Sequence, residues 1–135
     1  MERSIEKFIE EVDVKGNKIG FFNQTIQKIC SATTFQQPGC DFWLAEENGE
    51  VAGYVLANIV IDIDGSLCYW ISQAWSDKRF RNTAFTKESW LKILDHSKRS
   101  LCRYLIVVSA RKSRSFMRFL GYGAHEYASL IKVNL

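Results

Sequence analysis

The first third of the chain repeats its apolar residues at the three- and four-residue steps of an α-helix. A first helical series consists of Ile5, Phe8, Ile9 and Val12. A second consists of Ile19, Phe22, Ile26, Ile29 and Cys30. Ser4 precedes the first series as a candidate N-cap. Residues 36–39, Gln-Gln-Pro-Gly, interrupt the second pattern and predict a loop.

The middle of the chain changes to a pattern typical of β-strands. Residues 42–45 and 51–63 are strand-like and are joined by Glu-Asn-Gly-Glu at 47–50. Because Asn-Gly tolerates the positive φ angles of a type I′ turn, we expect an antiparallel hairpin. The second arm is almost wholly apolar, which is typical of a strand buried on both faces. Residues 62–65 should end this arm and turn the chain into the next strand.

The second half of the chain alternates strands and helices. We predict three strands, at 67–75, 104–108 and 127–135, and expect the strand at 104–108 to be fully buried. We predict two helices, at 84–97 and 113–120, and Gly121 is a candidate C-terminal cap of the second helix. The order is then α-α-β-β-β-α-β-α-β. It predicts an α/β (α+β) fold with a mixed, mostly antiparallel sheet and helices on both faces. Since no linker or repeat divides the chain, residues 1–135 are expected to form a single domain.

Composition narrows the class of protein. With 47% hydrophobic and 13% aromatic residues the chain has the material for a packed core, and disorder is excluded. It contains no apolar run of about 18 residues, and its start lacks the layout of a signal peptide, so we expect no membrane span. The four cysteines are Cys30, Cys40, Cys68 and Cys102. Because their spacing matches no metal-ligand pattern, we predict reduced thiols, no metal and a cytoplasmic protein.

The net charge is only +3, but the basic residues are clustered. They flank and follow the helix predicted at 84–97: Lys78, Arg79 and Arg81, then Lys98, Arg99 and Arg103, then Arg111, Lys112, Arg114 and Arg118. One interpretation is a solvated face. The other is an anion-binding rim, for the phosphates of a cofactor first and for RNA or an acidic protein second.

Residues 69–94 connect a predicted strand to a predicted helix through a short basic loop. The first N–H groups and the positive end of the helix dipole then point at one spot, which is where phosphate binds. The spacing Arg81-x-x-Ala84-x-Thr86 resembles the pyrophosphate loop of the GNAT superfamily, the acyl-CoA-dependent N-acyltransferases. Ala84 and Thr86 replace the two glycines usual in that loop. The order of elements over residues 41–135 is similar as well.

The resemblance implies an N-acetyltransferase that uses acetyl-CoA as co-substrate and an amine as acceptor. It assigns cofactor binding to Ala74, Ser76, Arg81, Asn82, Thr83, Ala84, Phe85 and Thr86. Within this set, backbone groups at Ala74 and Ser76 would polarise the thioester carbonyl, and the strand that carries them would separate from the strand at 104–109 to admit the pantetheine. Arg81 is expected at the surface, and the Thr86 hydroxyl could donate to a phosphate. Ala84 is harmless if its position is helical.

The catalytic residues stay unknown at this stage. The tyrosine that often serves as general acid in this family corresponds to Met117, and the frequent asparagine corresponds to Ala110 or Arg111. Other candidates are Asp62, Asp64 and His125 as bases, and Tyr122 or Ser109 as acid. An alternative is therefore a catalytically silent protein of this fold, acting as a binding or structural module. A third possibility is that the basic rim binds RNA. Trp43, Trp70, Trp75 and Trp90 are interpreted as core residues rather than a base-stacking platform.

Overall fold

The computed structural model describes residues 1–11, 18–81, 83–107 and 133, with the side chains of residues 11, 18 and 19 excepted. The elements in chain order are α1 (Glu2–Glu11), α2 (Lys18–Thr33), β1 (Cys40–Glu47), β2 (Glu50–Ile61), β3 (Leu67–Ser76), a 3₁₀ turn (Lys78–Phe80), α3 (Ala84–Arg99) and β4 (Tyr104–Val107). The helix predicted at 113–120 and the strand predicted at 127–135 lie outside the described residues.

The strands form one mixed sheet in the order β1-β2-β3-β4. β1, β2 and β3 pair antiparallel, and β4 runs parallel to β3. The turn between β1 and β2 has φ values of 52° at Asn48 and 78° at Gly49, as a type I′ turn requires. The predicted hairpin is therefore confirmed, and so is the α/β fold with a mostly antiparallel sheet.

Helices cover both faces of the sheet, because β2 sends alternate side chains to opposite sides. On one face, Tyr54 and Leu56 pack with Ile5 and Ile9 of α1. On the other face, the buried cluster consists of Val55, Ala57, Tyr69, Ile71, Trp90 and Ile93, the last two from α3. A strand buried on both faces cannot carry the polar half of an amphipathic pattern. This is why residues 51–60 read as one apolar run.

A β-bulge interrupts the pairing of β2 with β3. Leu56 pairs with Gln73 and Ala57 with Ile71, so Ser72 is one extra residue on β3. The extra residue reverses the alternation of β3. Gln73 therefore faces the α1 and α2 side with Leu56, whereas Ile71, two positions earlier, faces α3 with Ala57. The described pairing of β3 with β4 ends at Ile71 and Val107, beside this bulge.

Three details of the sequence analysis need correction. Ser4 is not an N-cap, since α1 begins at Glu2 and the Ser4 N–H donates to the Met1 carbonyl at 2.9 Å. β4 is not fully buried, because it is the last strand of the described sheet and Tyr104 is 37% exposed. Trp43 and Trp70 are only half-buried, whereas Trp75 and Trp90 are core residues as predicted.

Two further observations bear on the predicted environment of the protein. Among the described residues, no helix has both the length and the apolar composition that crossing a membrane requires. Cys68 is buried, and Cys30, Cys40 and Cys102 are half-buried. Burial raises the pKa of the Cys68 thiol above its ordinary value, so this thiol stays protonated at neutral pH.

Candidate functional site

The predicted phosphate loop is a sharp connection between the end of β3 and the start of α3. Thr83 is the N-cap of α3, with an extended backbone at φ −94° and ψ 162°, and its Oγ1 accepts from the Thr86 N–H at 3.4 Å. The same Oγ1 donates to the Phe80 carbonyl at 2.6 Å. Thr86 Oγ1 also donates to the Phe80 carbonyl. The expectation that the Thr86 hydroxyl donates to a phosphate does not agree with this arrangement, because its hydrogen is used inside the loop.

The start of α3 leaves backbone donors for an anion. The first bond of the helix runs from the Lys87 N–H to the Thr83 carbonyl at 3.1 Å, and the Thr86 N–H is capped by Thr83. The N–H groups of Ala84 and Phe85 have no partner among the described residues and lie at the positive end of the helix dipole. Ala84 is the first helical residue and has no positive φ, so it needs no glycine.

The end of β3 presents a second set of backbone groups. The Asp77 N–H donates to the Ala52 carbonyl of β2 at 2.8 Å. Because hydrogen-bonded and non-hydrogen-bonded pairs alternate along an antiparallel ladder, the N–H groups of Ala74 and Ser76 point away from β2. Both residues lie beyond Ile71, the last residue of β3 that pairs with β4 among the described residues. The predicted carbonyl-binding groups therefore face the side of β3 on which β4 pairs further back along the strand.

Arg81 lies between these two sets of donors. Its Nε donates to the Ser76 carbonyl at 2.9 Å, and the residue is half-buried rather than fully at the surface. Arg81 therefore holds the loop against the end of β3, in addition to bringing a positive charge to it. Asn82, the remaining residue of the predicted loop, lies outside the described residues.

Asp77 organises the turn after β3. Its carboxylate accepts from Arg79 Nε at 3.2 Å and from Lys7 Nζ of α1 at 3.4 Å, while Arg79 also contacts Glu50 at 2.8 Å. The Asp77 side chain is 11% exposed. The hydrogen bond from the Arg79 side chain is the main reason that the pKa of Asp77 falls from an ordinary 3.8 to about 2. The carboxylate thus connects α1, the loop and the start of β2.

This ion pair predicts a loss of stability in acid. The folded state holds the Asp77 pKa below its unfolded value, so its contribution is fully present above pH 4 and is lost as the pH falls towards 2. Asp77→Asn should remove about 1 kcal/mol at neutral pH and flatten the dependence between pH 4 and 2. Urea unfolding of the wild-type and Asp77→Asn proteins between pH 4 and 2 measures this difference in the free energy of unfolding. An equally steep acid dependence in Asp77→Asn would show that other carboxylates dominate.

A groove lies on the side of the sheet that α1 and α2 cover, and sequence analysis did not find it. This α2 groove has a volume of about 540 Å³, and its lining includes Lys28, Gln37, Cys40, Asn58, Trp70 and Ser72. Cys40 pairs with Asn58, and Asn58 with Trp70, so three of these residues form one row across β1, β2 and β3. The row ends beside Ser72 of the bulge. Only the strand register brings these positions together, and no local sequence motif marks them.

A polar cluster on the opposite face was also missed. Asp41 Oδ2 accepts from the Tyr69 hydroxyl at 2.7 Å and contacts His96 Nε2 at 3.0 Å. The Trp43 Nε1 donates to the Tyr69 hydroxyl oxygen at 2.9 Å. Burial raises the pKa of Tyr69 well above its ordinary value, so the phenol keeps the proton that it donates. We call this set the Asp41 cluster; it joins β1, β3 and α3.

Asp62 and Asp64 are turn residues and do not lie near the loop. Asp62 accepts from the Ile63 N–H at 2.8 Å, and Asp64 accepts from the Ser66 N–H and the Tyr104 hydroxyl, each at 2.9 Å. Both precede β3, whereas the loop follows it, and a ten-residue strand is about 33 Å long. Neither is therefore placed to act as base at the end of β3. Ser109, Ala110, Arg111, Met117, Tyr122 and His125 lie outside the described residues.

Taken together, the fold and the loop define an α/β protein with a strand–loop–helix unit that presents backbone N–H groups at the start of α3 and at the end of β3. The profile of the GNAT acetyltransferase family matches residues 10–122 of the chain. The chain belongs to the GNAT acetyltransferase family, as its sequence predicts. No curated protein matches the chain by sequence.

Solved structures show the same fold at low sequence identity. A predicted acetyltransferase from Clostridium acetobutylicum, determined with acetyl-CoA, has a TM-score of 0.74 and 11% identity over 98% of this chain and 86% of that one. An aminoglycoside N-acetyltransferase in complex with CoA has a TM-score of 0.62 and 16% identity over 90% and 96%. A ribosomal-protein-alanine N-acetyltransferase from Brucella melitensis has a TM-score of 0.55 and 14% identity over 73% of each chain.

Proposed function

We propose that this protein is an N-acetyltransferase that transfers the acetyl group of acetyl-CoA to an amine. The observation that carries the proposal is the presence of two sets of backbone donors, one at each end of the loop that follows β3. The N–H groups of Ala84 and Phe85 lie at the start of α3, and those of Ala74 and Ser76 lie on the edge of β3 that points away from β2. The N–H groups at the start of α3 suit a pyrophosphate, and those on β3 suit a thioester carbonyl.

The charges around the loop suit a polyanionic co-substrate. Lys78 is exposed beside the loop, Arg79 is exposed but already paired with Asp77 and Glu50, and Arg81 is held to the Ser76 carbonyl. A charge-assisted hydrogen bond contributes about 1.5–3 kcal/mol, so a few backbone and arginine contacts would hold CoA with micromolar affinity. The pantetheine would run along the edge of β3 that carries the Ala74 and Ser76 N–H groups.

The reaction needs a neutral amine. Its nitrogen lone pair attacks the thioester carbonyl carbon, a C–N bond forms, the C–S bond breaks, and the amine proton ends on the CoA sulfur or on water. The Ala74 and Ser76 N–H groups would stabilise the negative charge that develops on the carbonyl oxygen. A base is not indispensable, because water can carry the proton from an amine of low pKa.

An added negative charge at the start of α3 tests the cofactor site. Ala84 is exposed and α3 has no acidic residue in its first turn. Ala84→Glu should therefore stabilise the helix by about 0.3–1 kcal/mol through the dipole. The same carboxylate should repel the pyrophosphate and weaken the binding of CoA and acetyl-CoA by about tenfold. Isothermal titration calorimetry measures both affinities, and thermal unfolding checks stability.

Leu91→Glu is the matched control for this charge. Leu91 is 56% exposed on the same helix and lies about two turns from the loop, so its glutamate should leave CoA affinity unchanged. If the Ala84→Glu and wild-type proteins bind CoA with equal affinity, the loop is not part of the cofactor site. Tight CoA binding with no acetyl transfer to any amine tested would instead favour the alternative, a catalytically silent binding module.

We further propose that residues 1–135 act as one domain in the cytoplasm. The absence of a linker in the sequence supports the first statement. The half-buried and buried thiols, which would be expected to stay reduced there, support the second. Titration of the thiols in denaturant without reductant tests the redox state.

A further inference from the structure

We infer that the α2 groove binds the acceptor, and that this acceptor is an amine that also carries a carboxylate. The inference rests on the proposed acetyl transfer and adds the chemical class of the second substrate. The groove, about 540 Å³ in volume, lies on the sheet face that α2 covers. That size suits a small molecule, since ligand sites usually measure about 300–1,000 Å³.

The groove reaches the place where the acetyl group would be delivered. Ser72 lines it, and Ser72 is the bulge residue of β3. Ala74, whose N–H points away from β2, is only two residues further along β3, or about 7 Å. A molecule lying in the groove could therefore bring its amine to the edge of β3, while CoA approached from the loop.

The positive charge in the groove favours an acceptor that carries a negative group at the end away from its amine. Lys28 of α2 is half-buried in the lining, and no described residue forms an ion pair with it. Its described neighbours in the lining are neutral. The Lys28 ammonium attracts an anion and repels a second cation. An acceptor with a carboxylate therefore gains a contact at Lys28, whereas a polycationic amine meets a like charge.

The rest of the lining suits a short carbon chain with one amine. Trp70 is half-buried and offers an aromatic surface for methylene groups. Asn58 donates from Nδ2 to the Cys40 sulfur at 3.1 Å, which leaves its Oδ1 to accept a hydrogen bond from an amine. The helix that carries Lys28 is fixed to β3, because Gln73 Nε2 donates to Thr25 Oγ1 at 2.8 Å. The groove is thus held in shape by α2 as well as by the sheet.

Matched amines that differ only at the far end test the inference. One series consists of aminocaproate, hexylamine and hexamethylenediamine, and a shorter series of γ-aminobutyrate, butylamine and putrescine. With wild-type protein and acetyl-CoA, we expect kcat/KM for the better aminocarboxylate to exceed that of its neutral analogue by about tenfold and that of the diamine by more. CoA release measures turnover, and calorimetry measures binding of each amine to the CoA complex.

Variants of Lys28 complete the test. Lys28→Gln should remove the preference for the carboxylate, and Lys28→Glu should transfer it to the diamine. Lys92→Glu, an exposed change on α3, should leave the preference as in the wild type. A preference for neutral or cationic amines, or one that survives Lys28→Gln, would overturn the inference while leaving acetyl transfer intact. Equal calorimetric affinities for the aminocarboxylate, the neutral amine and the diamine would also overturn the inference, whether or not any of them is acetylated. Failure to bind CoA would instead overturn the proposed function.

Discussion

Replacing Gly53 by alanine is expected to destabilise the protein by about 3 kcal/mol. Gly53 lies in β2 opposite Ser76, and a Cβ built on it would lie 2.6 Å from the Trp75 carbonyl oxygen and 3.3 Å from the Ser76 Cα. Both atoms belong to the backbone, so no side-chain rotation can relieve the contact. β3 would have to move away from β2 where it enters the loop.

Gly65→Ala separates this steric effect from the conformational one. Gly65 has φ 82° and nothing within 4 Å of a built Cβ, so alanine there should cost only about 1 kcal/mol. Urea unfolding of the three proteins gives the two differences in free energy. If both variants lose the same free energy of unfolding, the close approach of β2 and β3 at Gly53 adds nothing to the cost of an alanine there. Gly53→Ala should also weaken CoA binding, because the Ser76 N–H and carbonyl move with the strand.

The second large effect is expected at the Asp41 cluster. Tyr69→Phe removes the hydroxyl that donates to Asp41 at 2.7 Å and accepts from Trp43 Nε1 at 2.9 Å. The ring remains, so core packing is almost unchanged. Trp43 Nε1 loses the acceptor described for it, while Asp41 keeps its contact with His96. Leaving a buried polar group unsatisfied costs about 1–3 kcal/mol. We expect a loss of about 2 kcal/mol in the free energy of unfolding.

Tyr104→Phe is the control for the loss of a tyrosine hydroxyl. Its hydroxyl donates to Asp64 at 2.9 Å, but the residue is 37% exposed, so water can replace the contact. We expect a change within about 0.5 kcal/mol. Chemical denaturation of the Tyr69→Phe and Tyr104→Phe proteins measures the difference between their losses in free energy of unfolding. A Tyr69→Phe protein as stable as the wild type would mean that water satisfies Asp41 and Trp43 equally well.

Local chemistry explains which parts of the fold were predictable. The Asn48-Gly49 turn, the apolar run of β2 and the helical spacing of Trp90 and Leu94 are each encoded within a few residues. The start of α3 was also predictable, because a threonine before a helical pattern is a common N-cap. The cap of α1 was misassigned, since the carbonyl of Met1 starts that helix and a backbone group has no sequence signature.

The candidate site was predictable only along its contiguous part. The loop could be found because its residues are neighbours in the chain. Asp41 and His96 are 55 residues apart, and Asn58 and Trp70 meet only through the register of β2 and β3. That register includes an extra residue at Ser72, which no hydrophobic pattern marks. Sequence reasoning therefore predicted the loop and missed both the α2 groove and the Asp41 cluster.

The bulge at Ser72 also determines how this chain can change in length over evolution. Deleting Ser72 would make β3 regular and would leave Tyr69, Ile71, Gln73 and Trp75 on their present faces, because Ser72 is the one residue that has no partner in β2. A one-residue deletion or insertion elsewhere in β3 would disturb the same alternation on one side of the bulge. Codon losses or gains at positions of β3 other than Ser72 should therefore be purged. In a population of related genes, gaps should avoid residues 67–71 and 73–76 and accumulate in turns such as 62–66.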